Sequence, residues 1–128
     1  MKSKGKILII DDEIDILSLN KTILTHKGYE VVTVGDGIQA LDIYKKQGKE
    51  IDVILSDIQL PGISGIEFLK EIKKLDENIP PLYFITTLYD EEGIKKLLDQ
   101  GAAGIIQKPY DIKTLTDTVN SAITKYKK

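Results

Sequence analysis

The sequence predicts an α/β fold, a parallel sheet covered by helices on both faces. Three observations predict it. Short apolar runs alternate with stretches of helical periodicity five times along the chain. The central run, Val53-Ile54-Leu55, is apolar throughout, as a strand buried on both faces requires. Four runs also end in reactive polar residues: Ile7-Leu8-Ile9-Ile10 in Asp11-Asp12, the central run in Ser56-Asp57, Leu82-Tyr83-Phe84-Ile85 in Thr86-Thr87, and Gly104-Ile105-Ile106-Gln107 in Lys108-Pro109. In a parallel sheet those residues lie together along one edge, where open α/β sheets bind ligands.

Taken in order, residues 6–10 form the first strand. Ile14, Leu17, Ile23 and Leu24 then recur at helical spacing, and Gly28 closes that helix in the left-handed region. Residues 30–34 are rich in β-branched residues and make a second strand. Asp36 caps a helix bearing Ile38, Leu41 and Tyr44, which Gly48 ends. After the central strand, Pro61-Gly62 forces a loop, and Ser64-Gly65-Ile66-Glu67 has the spacing of a capping box. It opens a helix carrying Ile66, Leu69, Ile72 and Leu75. Pro80-Pro81 forbids helix and resets the chain for the fourth strand. Asp90 begins a weak helix, with Gly93 in its first turn, few apolar anchors (Ile94, Leu97, Leu98) and Gly101 at its end. Asp111 caps the last helix, whose core-facing set is Ile112, Leu115, Val119, Ala122 or Ile123, and Tyr126. Right-handed βαβ crossovers follow from the alternation, but pattern alone leaves the strand order open.

Composition narrows the classes of function. The chain has 128 residues, 41% of them hydrophobic, enough for one ordinary core and a single domain over 1–128. No apolar stretch is long enough for a transmembrane helix, and the apolar run behind the basic start meets Asp11-Asp12 too soon for a secretory signal. There is no cysteine, so thiolate chemistry and disulfides are excluded and a reducing, cytoplasmic setting is allowed. A formal net charge of −2 argues against direct nucleic-acid binding. Lys2, Lys4, Lys6, Lys125, Lys127 and Lys128 read as solvated tails.

Individual motifs have bland readings. Asp11-Asp12 could be a helix cap and a surface acid, yet a second acid is superfluous for capping. Threonine is a good strand residue, and Lys108 alone would be a surface lysine. His26, near a helix C-terminus, reads as structural. Gly35-Asp36-Gly37-Ile38-Gln39-Ala40 fits a loose dinucleotide-binding fingerprint. That reading leaves Asp11-Asp12 and Lys108-Pro109 unexplained.

The motifs Ile10-Asp11-Asp12-Glu13, Asp57-Ile58-Gln59-Leu60-Pro61-Gly62 with Gly65, Ile85-Thr86 and Lys108-Pro109-Tyr110, in that order and at strand ends, resemble those of response-regulator receiver domains. The resemblance covers residues 6–126, nearly the whole chain. It implies a flavodoxin-like (βα)5 sheet of order 2-1-3-4-5, which sets Asp11 and Asp12 beside Asp57. It also implies Mg²⁺ or Mn²⁺ held by Asp12, Asp57 and the Gln59 backbone carbonyl, with Asp11 acting through water. Packed carboxylates repel, and a hard divalent cation relieves the repulsion, so removing Asp12 is expected to stabilise the metal-free protein. Asp57 would take a phosphoryl group from a sensor histidine kinase or histidine phosphotransfer protein. Thr86 and Lys108 would hold the phosphoryl oxygens, and Pro109 would follow a cis peptide.

Such a protein is a switch rather than an enzyme, assisting only its own phosphorylation and dephosphorylation. An unidentified downstream protein would read it on the helix 4–strand 5–helix 5 surface. The rival is a phosphorylation-independent adaptor of the same fold. The length favours a stand-alone regulator or phosphorelay intermediate over a piece of a longer regulator. One departure stands out: the aromatic residue that receivers often carry three positions before the lysine is Ile105 here. That puts the usual threonine–aromatic coupling in doubt and shifts the expected response to residues 90–107.

Overall fold

A computed structural model describes residues 3–87 and 90–126, the side chain of Tyr126 excepted. Five strands alternate with five helices: β1 (Lys6–Ile10), α1 (Ile14–His26), β2 (Glu30–Val34), α2 (Gly37–Gln47), β3 (Val53–Asp57), α3 (Gly65–Leu75), β4 (Leu82–Thr86), α4 (Glu91–Asp99), β5 (Gly104–Gln107) and α5 (Ile112–Tyr126). All neighbouring strands pair in parallel, in the order β2-β1-β3-β4-β5. This is the flavodoxin-like arrangement, with the change of winding direction between β1 and β3.

Alternation along each strand divides the core into two layers. Ile7, Ile9, Val53, Leu55 and Ile85 face α1 and α5, against Leu17, Leu24, Leu115 and Val119. Leu8, Ile10, Ile54, Leu82 and Phe84 face α2, α3 and α4, against Ala40, Tyr44, Phe68, Leu69, Ile72 and Leu97. All five residues of β3 are buried, as its continuous apolar run requires.

The side-chain caps form where the sequence places them. Asp36, Ser64, Asp90 and Asp111 accept from the backbone N–H groups of Gln39, Glu67, Glu92 and Thr114. Gly28 follows α1 at φ +104°, a left-handed conformation that stops the helix. Gly48 differs. It stays right-handed at φ −52°, and the chain runs on through a 3₁₀ turn to Glu50.

The helix faces depart from the expected sets in their end turns. Ile14, Ile38, Leu75 and Ile112 are exposed, because each lies in a first or last turn that overhangs the strand ends. Phe68 and Ala40 take fully buried places instead. The Tyr126 side chain expected in the core lies outside the described residues, as do Lys2, Lys127 and Lys128.

Lys6 is no solvated tail. Its side chain is 11% exposed, with Nζ 2.5 Å from Gln47 Oε1 and ion-paired to Glu30 and Glu50 at 3.5 and 3.6 Å. This closes the sheet edge opposite the reactive strand ends.

The Gly35–Ala40 fingerprint is filled by protein. The Gly37 N–H donates to Pro61 O at 3.1 Å, and a Cβ on Gly37 would lie 2.2 Å from Ile63 O. Gly37 lets the loop after β3 seat on the α2 N-terminus, where a pyrophosphate would have to bind. The contacts agree with the rejection of the dinucleotide reading.

Candidate functional site

The register of β1 and β3 places the acids together. Ile10 pairs with Ser56, so the next residues, Asp11 and Asp57, emerge side by side. Asp11 is 1% exposed and Asp57 7%, while Asp12 faces solvent. One carboxylate oxygen from each of the three lies within 4.8 Å of the other two.

The two halves of the Asp11 carboxylate do different things. Oδ1 accepts from the Glu13 N–H at 2.9 Å and so caps the start of α1, where Glu13 itself offers no side-chain bond. Oδ2 is buried with no protein partner. Asp12 takes no part in the cap, which is why the acid pair exceeds what capping needs.

Lys108 enters from the end of β5. Its Nζ is 3.1 Å from Asp57 Oδ1, an ion pair without hydrogen-bond alignment at that buried oxygen. The Lys108 N–H donates to Thr86 O at 2.7 Å, and the peptide to Pro109 is cis. Thr86 is the last residue of β4, half-buried. The strand ends thus bring Asp11, Asp12, Asp57, Thr86 and Lys108 to one edge. An open cleft of about 700 Å³ there is lined by Asp12, Asp57, Gln59, Thr86 and Lys108, with Lys96 of α4 and Gln100 just after it also in the lining.

The charges are unbalanced. Burial first, and the Asp11 carboxylate second, push the Asp57 carboxyl up to about 6, although Lys108 pulls the other way. Burial disfavours the Lys108 ammonium, but the neighbouring Asp57 outweighs it and holds the lysine above its ordinary value. One cation therefore does not neutralise this pocket. An orphaned Asp11 oxygen, three convergent carboxylates and a destabilised Asp57 charge are what a small hard cation such as Mg²⁺ relieves. The donor set fits such an ion.

Two contributors owe their roles to contacts between distant segments, one named in the sequence only as a motif glycine and one missed entirely. Gly65 lets α3 start directly against the acid: its N–H donates to Ile58 O at 2.7 Å, and a Cβ there would lie 2.2 Å from Asp57 O. Gly65→Ala is therefore expected to cost about 2–3 kcal/mol, since backbone must move to admit the methyl group. Urea unfolding measures it, and a loss under about 0.5 kcal/mol would contradict the close approach. The second is Asn20, buried in α1 and donating through Nδ2 to Tyr110 Oη at 2.9 Å. Its only sequence signal is a polar residue between Leu17 and Leu24 on the apolar face of the helix.

A doubly wound sheet with an acid cluster, a threonine and a lysine at its carboxyl edge defines the receiver class. The family model for the response regulator receiver domain matches residues 7–120, and the chain belongs to that family. Sporulation initiation phosphotransferase F of Bacillus subtilis is 38% identical over 94% of this chain and 92% of its own. Response regulator SaeR of Staphylococcus aureus is 31% identical over 95% of this chain, which spans 52% of SaeR. Among solved structures, a chain of the CheX–CheY–BeF₃–Mg²⁺ complex from Borrelia burgdorferi superposes with a TM-score of 0.84, at 31% identity over 91% of this chain and 87% of that one.

Proposed function

We propose that residues 1–128 act as a single phosphoacceptor switch, and that Asp57 is the residue phosphorylated. The observation that carries this reading is the buried Asp57 carboxylate, facing two other acids and paired with Lys108 at 3.1 Å. In the reaction an Asp57 oxygen attacks the phosphorus of a phosphohistidine on a kinase or phosphotransfer protein. The P–N bond breaks, the imidazole leaves with the bonding electron pair and takes up a proton, and an acyl phosphate remains. Asp12, Asp57 and the Gln59 carbonyl are the residues to hold Mg²⁺ or Mn²⁺, with Asp11 behind them through its unpartnered Oδ2. Bound there, the ion supplies positive charge against carboxylate and phosphoryl oxygens. Lys108 holds one phosphoryl oxygen through Nζ, and the Thr86 hydroxyl donates to another.

The chain carries out no multiple-turnover reaction on a separate substrate. The relative named a phosphotransferase supports a place within a relay, and the BeF₃–Mg²⁺ complex supports the metal and a protein partner. The absence of cysteine, and of any helix among the described residues long and apolar enough to cross a membrane, is compatible with the cytoplasm. Incubation with acetyl phosphate and Mg²⁺ tests the reading: intact mass spectrometry should show one added phosphoryl group, lost in alkaline hydroxylamine. No gain in mass would favour the phosphorylation-independent adaptor.

The output runs through α4, β5 and α5. Ile105 on β5 pairs with Phe84 and packs half-buried in the layer under α4. It has no ring to turn and no hydroxyl to exchange. Helix α4 buries only Leu97, with Leu98 43% exposed, so it is the loosely held element beside the site. Beryllium fluoride with Mg²⁺ should therefore change hydrogen exchange across residues 90–107. Unchanged protection there would place the output elsewhere.

A further inference from the structure

Asn20 is 2% exposed and is one of the three buried residues of α1 with Leu17 and Leu24, so its amide has given up water. A buried amide is tolerated only when it is hydrogen-bonded. Its partner is distant in sequence: Nδ2 donates to the Tyr110 hydroxyl oxygen at 2.9 Å, across 90 residues. Helix α1 starts directly after Asp11, Asp12 and Glu13, and Tyr110 stands two residues beyond Lys108. The bond therefore joins the segment that supplies the acids to the segment that supplies the lysine.

The loop carrying Lys108 is held on both sides. On one side the Lys108 N–H donates to Thr86 O, and on the other Asp111 caps α5 through Thr114. Between them, the Asn20–Tyr110 hydrogen bond ties the loop to α1. A lysine on a flexible stem reaches a carboxylate in one geometry only if its backbone is fixed.

We infer that Asn20 and Tyr110 are positioning residues for phosphoryl transfer, holding Lys108 in register with Asp57 through their hydrogen bond. The inference rests on the phosphoacceptor reading above. A phenylalanine at position 110 would fill the same space without the bond, leaving the Asn20 amide unsatisfied. Asn20→Leu together with Tyr110→Phe removes both polar groups and restores an apolar pair, separating folding from positioning.

Phosphorylation rates from acetyl phosphate with saturating Mg²⁺ test this, for wild type and the double variant, each with and without Lys108→Ala. The double variant should melt close to wild type, bind Mg²⁺ with unchanged affinity and take up phosphate on the order of tenfold more slowly. In the Lys108→Ala background the same two changes should slow labelling by less than about twofold, since the group they position is gone. Wild-type rate in the double variant, or an equal loss in both backgrounds, overturns the inference while labelling of wild type upholds the reading beneath it. A wild type that takes no label overturns both.

Discussion

Asp57→Asn is expected to take no detectable phosphoryl label from acetyl phosphate and Mg²⁺, a loss of more than about 10³-fold in rate. The amide oxygen carries no charge to attack phosphorus, and the acid's neighbours offer no substitute nucleophile in its place. Asp11 has one oxygen committed to the Glu13 N–H, and Asp12 is exposed, without the burial that raises the Asp57 carboxyl. Removing Lys108 should do less. Its Nζ stabilises charge on the transferring group but forms no bond to it, and loss of one such donor costs about 10²–10³-fold. The order of effects is therefore diagnostic. Label on Asp57→Asn at the wild-type level would move the acceptor elsewhere, and Lys108→Ala equal to wild type would remove the lysine from the chemistry.

The strand-end residues were legible because their positions are one-dimensional facts. An apolar run that stops at Asp11-Asp12, Asp57, Thr86 or Lys108 puts that residue at a strand terminus whatever the topology. Strand order was not legible from pattern, since a crossover helix can lead to either side of a strand. The resemblance supplied it, and pairing of β1 with both β2 and β3 bears it out. What stayed hidden depends on contacts between distant segments. Asn20 looks like an interruption of an apolar face until Tyr110 is seen beside it, and Gly65 looks like a helix-start glycine until the Asp57 carbonyl fills its missing Cβ position. The Gly35–Ala40 pattern shows the same limit: local spacing matches the fingerprint, while Ile63 of another loop occupies the space beside Gly37. Lys6 was misjudged because its partners Gln47 and Glu50 arrive from a turn far along the chain.

The same Asp57→Asn protein should be more stable than wild type when metal is absent, with a pH dependence that identifies the cause. The Asp57 carboxyl titrates near 6 in the folded protein, against 3.8 for the free group. Below pH 3.8 it is protonated in both folded and unfolded chains and contributes nothing. As pH rises toward 6, the unfolded chain releases this proton while the folded one retains it, so the unfolded state gains. Above about 6 the cost is complete, on the order of 3 kcal/mol for a shift of this size. Asparagine carries no such cost. The stability difference between the two proteins should therefore be small near pH 4, grow through pH 5 and level off above pH 6, as a melting-temperature gap of roughly 10 °C. Removing Asp12 is expected to give a smaller relief, because Asp12 is exposed while Asp11 and Asp57 are buried. Mg²⁺ should close the gap by stabilising wild type by about 2.7 kcal/mol at a hundred times its dissociation constant, with a smaller effect on Asp57→Asn. Calorimetric melts from pH 4 to 8 in chelator and in Mg²⁺ measure both effects. A gap that shrinks as pH rises, or Mg²⁺ shifts equal in the two proteins, would show that neither charge strain nor metal relief resides at Asp57.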